Sequence, residues 1–432
     1  MTASSLIKAF VLCPELKHKG SFLERSKQAR LDEAVGLAAA IDLDVIGQQF
    51  INLEKFSPAT YFGSGFVEEL KGTLQNLGVS LVVVDATLSP VQQRNLERAW
   101  KVKVIDRTGL ILEIFGKRAQ TSEGVLQVEL AALQYQRSRL VRLWTHLERQ
   151  RGGFGFTGGP GESQLELDRR LIDERIIKIK SELEKTVRTR RLQRSARERV
   201  PYPVVALVGY TNAGKSTLFN TLTHADVFAK DLLFATLDPT MRQLKLPSGQ
   251  TVILSDTVGF ISDLPTTLIA AFRATLEEVT SADVILHVRD MSHEDTEFQK
   301  NDVTHVLKEL GLEHAYEDGV IIEVWNKMDL LTSEARTVYQ NKQVLQKNSI
   351  CVSALQGDGL DDLKKRIDVK LAESRKVIHA TLQSSAGELL AWCYTKGAIS
   401  ERVDDGEHIH LTLRLPKALV PQFWKRYRKE IQ

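Results

Sequence analysis

Cysteine is scarce in this sequence of 432 residues: Cys13, Cys351 and Cys393 lie far apart, without the paired spacing of a metal motif. This excludes a disulfide framework or a zinc site and is typical of a protein with reduced thiols. No run of 18 apolar residues occurs, so no segment is predicted to span a membrane. Residues 5–13 are too short and too interrupted for a signal peptide, and we expect a cytoplasmic protein.

The composition is that of ordinary folded domains, with 43% hydrophobic and 26% charged residues. A purely disordered or collagen-like chain is therefore excluded, and the length predicts roughly three domains. The net charge is only +3, but 17 lysines and arginines face 9 aspartates and glutamates between Arg137 and Arg199. This local excess indicates a polyanionic partner or an interaction surface.

Residues 1–108 are predicted to form an α/β domain, because strand and helix patterns alternate there. Strands are predicted at 44–50, 79–84 and 102–106, and helices at 29–43, 67–77 and 90–99. Such alternation predicts a small parallel sheet with both faces covered.

Residues 109–200 carry a heptad-like pattern that predicts two long antiparallel helices. Residues 151–161 are rich in glycine and predict a flexible tip loop between them, and Pro201 and Pro203 mark the following boundary. The apolar seam consists of Leu126, Leu130, Leu133, Leu140, Leu143 and Leu147 on the first helix, and Ile172, Ile176, Ile179, Leu183 and Val187 on the second.

Two further domains are predicted after the hairpin. Residues 201–375 again alternate, with strands at 204–208, 252–255, 284–288, 320–325 and 349–352. Residues 376–432 are predicted to form a small α+β domain with a strand at 408–415. The predicted fold class is α/β.

The strongest functional signal is a match to the phosphate-binding pattern GxxxxGK[ST], directly after a strand and at the start of a helix. Backbone N–H groups of such a loop surround phosphate oxygens, Lys215 would reach the β- and γ-phosphates, and Ser216 would bind Mg²⁺. A chance glycine turn is the alternative interpretation. The residues predicted to bind nucleotide here are Gly209, Tyr210, Thr211, Asn212, Ala213, Gly214, Lys215, Ser216 and Thr217.

Three more motifs follow, each at the carboxyl end of a predicted strand. In Asp256-Thr257-Val258-Gly259, the carboxylate would hold Mg²⁺ through water and the glycine N–H would meet the γ-phosphate. In Asn326-Lys327-Met328-Asp329, the carboxylate can accept from two guanine donors that adenine lacks. Ser353-Ala354-Leu355 would offer a backbone N–H to guanine O6. Four motifs in this order indicate a GTP-binding domain.

A switch segment is expected between the first two motifs, in Phe234-Ala235-Thr236-Leu237-Asp238-Pro239-Thr240. One threonine should offer its hydroxyl to Mg²⁺ and order the loop around a triphosphate. We favour Thr236, with Thr240 as the alternative.

The motif order, the phrase at 234–240 and the tip sequence Gly-Gly-Phe-Gly-Phe-Thr-Gly-Gly-Pro-Gly-Glu-Ser-Gln-Leu-Glu-Leu-Asp-Arg-Arg resemble the HflX GTPases, which belong with Obg among the translation-factor-like P-loop GTPases. The resemblance covers nearly the whole chain and is less distinctive after residue 376. It implies an N-terminal α/β domain, a helical hairpin, a P-loop GTPase domain and a small C-terminal domain. It also implies binding to the large ribosomal subunit and stress-linked ribosome dissociation or rescue, with the glycine-rich loop near the peptidyl-transferase centre. Some members are reported to bind or hydrolyse ATP through the N-terminal part.

Phe260 stands where many GTPases have the glutamine that orients the attacking water. Because phenylalanine has no polar group for that task, we expect slow intrinsic hydrolysis that rises when a partner orders the switches. Orientation of the water by another residue is the alternative. The candidate catalytic positions are Lys215, Thr236, Gly259 and Phe260.

The basic hairpin is predicted to contact RNA, since arginines bind phosphates and aromatic side chains stack on unpaired bases. A solvated coiled coil is the alternative. The candidate residues are Arg151, Phe154, Phe156, Arg188, Arg190, Arg191, Arg194 and Arg197.

Weaker patterns favour structural roles. Gly63-Ser64-Gly65 before a helix is more typical of a turn and cap than of a second nucleotide site. Asp85 and Asp106 end predicted strands, and the sequence suggests no partner for either.

The sequence thus predicts a Mg²⁺-dependent, monomeric GTPase that engages the ribosome through RNA-rich contacts and uses GTP as a timer. Two alternatives stay open: a regulatory GTPase with a protein effector, and a nucleotide-dependent RNA remodeller with an ATP site in the N-terminal domain.

Overall fold

The computed structural model describes residues 6–16, 25–150, 160–197, 202–225, 233–234, 236, 240–262, 276, 278–317, 319–346, 348–373, 375–383, 386–395, 398–416 and 420–427. For residues 141–150, 160–165 and 189–197 the description is chiefly of the helical backbone. Within these ranges the strands form three sheets.

The N-terminal sheet is parallel and has the order β2-β1-β3-β4, with separate apolar clusters on its two faces. The predicted covered parallel sheet is therefore confirmed. Strand β1 was not predicted from the sequence, and the helix predicted over 29–43 ends at Ala39, before Asp42, whose φ of 60° does not fit a right-handed helix. The elements are β1 (Lys8–Leu16), α1 (Lys27–Ala39), β2 (Asp44–Leu53), α2 (Ser64–Leu77), β3 (Leu81–Val84), α3 (Pro90–Trp100) and β4 (Lys103–Asp106).

Local side-chain chemistry sets the ends of these helices. Ser26 caps α1, and Ser89 and Gln92 form a reciprocal capping box at the start of α3. Asp106 accepts a 2.8 Å hydrogen bond from the backbone N–H of Gly109 and so begins the next helix. Gly78, with a φ of 64°, ends α2.

Three consecutive helices follow: α4 (Arg107–Arg118), α5 (Ser122–Gln150) and α6 (Pro160–Arg197). The last two pack together as the predicted hairpin, and Arg175 donates to both carboxylate oxygens of Glu129 at 2.7 and 2.9 Å. Residues 151–159 of the tip lie outside the described residues.

The central sheet has the order β10-β9-β8-β5-β7-β6, parallel throughout except for β6, which runs antiparallel to β7. The five predicted strands are present, and β6 is an addition. The elements are β5 (Val204–Gly209), α7 (Lys215–Thr223), β6 (Thr240–Lys245), β7 (Thr251–Asp256), β8 (Val284–Asp290), α8 (Thr296–Glu309), β9 (Ile321–Asn326), α9 (Ser333–Leu345), β10 (Ser349–Cys351) and α10 (Leu360–Glu373).

The C-terminal sheet is antiparallel, with the order β11-β13-β12, and shares one apolar cluster with two helices. Its elements are β11 (Arg375–Gln383), α11 (Gly387–Thr395), β12 (Ile399–Asp404), β13 (His408–Pro416) and α12 (Val420–Tyr427). The α/β fold class with this appended α+β unit is confirmed, while the domain boundaries at 108, 200 and 375 stay predictions.

The N-terminal and central sheets do not have wholly separate cores. Leu37, Ile111 and Phe115 of the N-terminal helices belong to the same buried cluster as Val258 and Phe260 of the central domain. The second sequence motif is therefore in contact with the N-terminal domain.

Candidate functional site

The loop from Gly209 to Ser216 joins β5 to α7 and requires glycine at two positions. At Gly209, which has a φ of 152°, a Cβ atom would lie 2.2 Å from the carbonyl oxygen of Val288. At Gly214, which has a φ of 92°, it would lie 2.2 Å from Nδ2 of Asn326. Another residue would displace the backbone of Val288 at the first position and the side-chain amide of Asn326 at the second, and both φ values are unfavourable for a residue with a Cβ atom.

Lys215 is buried at the start of α7. Its Nζ donates to the backbone oxygens of Tyr210, at 2.7 Å, and Gly209, at 3.1 Å. Burial lowers the pKa of this ammonium to about 8, although Asp256 acts in the opposite direction. A cation held in this way is stabilised by an anion such as phosphate.

Three side-chain oxygens meet beside this lysine. The Ser216 hydroxyl donates to Oδ2 of Asp256 at 2.7 Å and lies 2.8 Å from Oγ1 of Thr236, which itself lies 3.1 Å from Oδ2. The other carboxylate oxygen, Oδ1, is buried and has no hydrogen-bond partner among the described residues. Burial raises the pKa of Asp256. Two hydroxyls and a carboxylate with an unpartnered oxygen fit a hard divalent cation such as Mg²⁺.

Thr236 and its alternative Thr240 occupy different places. Thr240 is the first residue of β6, where its backbone is aligned with Asp256 in the strand ladder. The side chain brought into contact with Ser216 and Asp256 is that of Thr236.

The segment after β7 lies directly on the phosphate-binding loop. Thr257 donates to the carbonyl oxygen of Leu207 at 2.6 Å, and a Cβ at Gly259 would lie 3.0 Å from Nζ of Lys215. The backbone of Phe260 exchanges hydrogen bonds with Gly209 and Thr211, and its ring is 2% exposed. The ring belongs to the core, so it has neither the polarity nor the exposure to orient a water molecule.

The two remaining motifs meet the loop at the same edge of the sheet. Asn326 donates to the carbonyl oxygen of Ala213 at 2.9 Å and accepts from the backbone N–H of Ala354 at 3.0 Å. Asp329 accepts from the Ser353 hydroxyl at 2.6 Å. Of the other residues predicted here, Lys327 pairs with Asp290, Met328 is buried and Leu355 is 78% exposed.

The Phe234 side chain belongs to the buried core that the central domain shares with the N-terminal helices. It is 2% exposed, and its ring meets the ring of Phe115 edge to face at a centroid distance of 4.7 Å. The neighbouring candidates Ala235, Leu237 and Asp238 lie outside the described residues.

A cluster of charged residues that was not predicted from the sequence links the N-terminal domain to this site. The hydroxyl of Tyr210 donates to Glu33, and Arg107 donates to the other oxygen of Glu33 at 2.7 Å and to the carbonyl oxygen of Ser262 at 2.9 Å. Burial alone would raise the pKa of Glu33, but Arg107 and Arg25 outweigh it and lower this pKa to about 2. Single charged residues carry no sequence signal for such pairing.

Asp85 and Asp106 were expected to lack partners, and this was wrong. Asp85 forms an ion pair with Arg107. Asp106 accepts from Tyr135 at 2.5 Å and from Arg139 at 2.6 Å, both on α5. Each aspartate stands at the end of a strand, next to a helix that supplies its cationic or hydroxyl partner. The sequence pattern does not show which helix packs there, so these partners could not be predicted.

The predicted RNA-contacting residues are only partly described. Arg188 is exposed on α6, and Arg190, Arg191, Arg194 and Arg197 lie on the helical backbone of α6. Arg151, Phe154 and Phe156 lie outside the described residues.

Gly63 is the N-cap of α2, as expected of a turn and cap. In the described part of the chain, no helix has the length and apolar character needed to cross a bilayer.

Four family models match successive parts of the chain. Their descriptions are GTP-binding GTPase N-terminal for residues 28–116, GTP-binding GTPase Middle Region for 118–197, 50S ribosome-binding GTPase for 204–327 and HflX C-terminal domain for 338–424.

Curated proteins called GTPase HflX are similar over most of the chain. The protein of Magnetococcus marinus is 51% identical over 88% of this chain and 86% of its own length. That of Lacrimispora saccharolytica is 46% identical over 80% and 79%, respectively. That of Escherichia coli is 43% identical over 83% of both chains.

Proposed function

Because the chain belongs to the HflX family of GTPases and hydrolyses GTP, we propose that it acts on the ribosome, binding chiefly the large subunit and dissociating or rescuing stalled ribosomes under stress. The match of residues 204–327 to the 50S ribosome-binding GTPase model carries this proposal. The neighbouring hairpin adds an excess of positive charge, which is the property needed to bind ribosomal RNA. Ribosomes also imply action in the cytoplasm, where we propose a monomer.

The motif residues are proposed to bind different parts of the nucleotide. Lys215 and the backbone N–H groups from Gly209 to Thr217 bind the phosphates, and the N–H of Gly259 binds the γ-phosphate. Asp329 accepts from the guanine ring, with Asn326 holding the loops together. Ser216 and Thr236 would hold Mg²⁺, with Asp256 bound through water. When present, Mg²⁺ neutralises the charge of the β- and γ-phosphates.

Hydrolysis by the isolated protein is proposed to be slow. Lys215 stabilises charge on the transferred phosphoryl group, but the buried Phe260 cannot orient the attacking water. A ribosome that orders the segments around Thr236 and Gly259 would supply the missing positioning. GTP then acts as a timer, since the ordered switches favour the bound form and hydrolysis favours release.

The hairpin is proposed to supply the RNA contacts near the peptidyl-transferase centre. Phe154 and Phe156 would stack on unpaired bases, and Arg151, Arg188, Arg190, Arg191, Arg194 and Arg197 would bind phosphates. Binding energy from these contacts, rather than the chemistry of hydrolysis, would separate the subunits.

The test measures GTP turnover by the full chain alone, with free ribosomal RNA and with intact ribosomes, at two salt concentrations. We expect a slow basal rate and a large, salt-sensitive increase with ribosomes. Combined replacement of Phe154 and Phe156 by alanine should abolish the increase and leave the basal rate unchanged. The matched control is Phe56→Ala, which changes an exposed phenylalanine of the N-terminal domain.

Other results would favour other functions. A rate indifferent to ribosomes would favour a protein effector, and strong stimulation by naked RNA would favour an RNA remodeller. Subunit dissociation is followed separately by sedimentation with GTP and with a non-hydrolysable analogue. Loss of dissociation only with the analogue would show that hydrolysis, not GTP binding, drives it.

A further inference from the structure

The two described residues that precede Thr236 most closely, Leu233 and Phe234, pack against the N-terminal domain. The Phe234 ring meets Phe115 of α4 edge to face, at 4.7 Å and 80°. On α1, a Cβ at Gly36 would lie 3.1 Å from Cδ1 of Leu233, so glycine leaves the space that Leu233 occupies. Helices α1 and α4, which pack together on the N-terminal sheet, therefore form a wall for the switch segment of the central domain.

Phe234 also has an unfavourable backbone conformation. Its φ is 56°, a left-handed value that brings the Cβ of a non-glycine residue close to the following carbonyl. Such a conformation persists only where the surroundings fix it, and here the buried ring is fixed by Phe115. Because Thr236 is only two residues further on, the position of the ring constrains the position of the hydroxyl beside Ser216.

The wall is itself anchored to the phosphate-binding loop. Glu33 of α1 accepts from the hydroxyl of Tyr210, and Arg107 at the start of α4 donates to both Glu33 and Ser262. Arg25 donates to Glu33 at 2.8 Å and to the Ser262 hydroxyl at 2.6 Å. Since these charges are buried, a shift of the N-terminal domain would separate several pairs at once.

We propose that Phe115 is a positioning residue for nucleotide binding: by holding Phe234, it holds Thr236 where the hydroxyl meets Ser216 and Asp256. This position of Thr236 allows contacts with the γ-phosphate and its cation. A diphosphate lacks the γ-phosphate and makes no such contacts with the segment. Phe115 therefore raises the affinity for Mg²⁺–GTP relative to that for GDP. The proposal rests on the role of Thr236 proposed above.

The test compares two equal substitutions in the full chain, Phe115→Leu and Phe62→Leu. Phe62 is the matched control, because it is another fully buried phenylalanine of the N-terminal domain but belongs to the cluster on the opposite face of the sheet. Dissociation constants are measured for GDP and, with Mg²⁺, for a non-hydrolysable GTP analogue. Thermal unfolding records the stability of each variant.

We expect Phe115→Leu to reduce the preference for the triphosphate by about fivefold or more, and Phe62→Leu to leave it unchanged while lowering the melting temperature. An unchanged preference in Phe115→Leu, or an equal change in both variants, would overturn the proposal. Thr236→Ala serves as the reference. Loss of preference there but not in Phe115→Leu refutes only the role of Phe115, whereas no change in either also refutes the role of Thr236.

Discussion

Tyr210 and Glu33 lie 177 positions apart in the sequence and are joined by a hydrogen bond of 2.5 Å. The same tyrosine hydroxyl accepts from the backbone N–H of Ser262 at 2.9 Å. The second residue of the phosphate-binding loop thus contacts both the N-terminal domain and the segment after Gly259. The phosphate-binding loop, the N-terminal domain and the segment after Gly259 therefore meet at the hydroxyl of Tyr210.

Removal of this hydroxyl should affect both stability and catalysis. Tyr210→Phe leaves Glu33 and the Ser262 N–H short of a partner, at a cost of about 1–3 kcal/mol in the free energy of unfolding. GTP turnover should also fall severalfold, because the segment that carries Gly259 loses one of the hydrogen bonds that fix it to the phosphate-binding loop. Tyr135→Phe is the control, since it removes a similar hydroxyl bonded to the buried Asp106. Equal turnover in both variants would contradict the prediction.

Acid should destabilise the protein partly through Glu33. Its pKa is about 2 in the folded chain and ordinarily 4.5, so its contribution is complete above about pH 4.5 and is lost as the pH falls toward 2. Between pH 5 and pH 3 the native protein should lose about 2 kcal/mol more than Glu33→Gln, measured by denaturant unfolding.

Glu68→Gln provides the comparison for that experiment, because Glu68 is an exposed carboxylate on α2. It should follow the pH dependence of the native protein. A Glu33→Gln curve parallel to these two would show that the ion cluster does not contribute.

The requirement for Mg²⁺ should distinguish the two threonines. Thr236→Ala removes an oxygen that contacts Ser216 and Asp256, so binding of a GTP analogue should need at least about tenfold more Mg²⁺. Thr240→Ala alters the first residue of β6 and should leave this requirement unchanged. Titration of Mg²⁺ at fixed analogue concentration measures both, and the reverse order would assign the role to Thr240.

Base selectivity should depend on Asp329. An asparagine there presents an N–H₂ group to the guanine amine, so Asp329→Asn should weaken GTP binding about a hundredfold and favour xanthosine triphosphate, which has a carbonyl at that position. Asp361→Asn, an exposed change on α10, is the control. Retained preference for GTP in Asp329→Asn would contradict the guanine assignment.

The sequence predicted the parts of the fold that local pattern determines. The motifs from Gly209 to Leu355 stand at the ends of apolar strands, so their meeting at one sheet edge follows from the order of elements. The strand β6 was missed because its exposed Arg242 and Gln243 interrupt the apolar pattern. Glu33 and Arg107 could not be recognised, since their burial depends on how two domains pack.

Asp106 and Arg107 are consecutive, yet their side chains hold different partners: the first binds Tyr135 and Arg139 of the hairpin, the second binds Glu33 and Ser262. A single peptide unit, about 3.8 Å between Cα atoms, joins the two sets of contacts. This peptide unit therefore couples the position of the hairpin to the position of Ser262. If α5 tilts, either Ser262 moves with it or a buried charge loses its partner. The loss of a buried partner is energetically costly. We therefore expect a displacement of the hairpin to be transmitted through Arg107 to Ser262 and to the segment that carries Gly259.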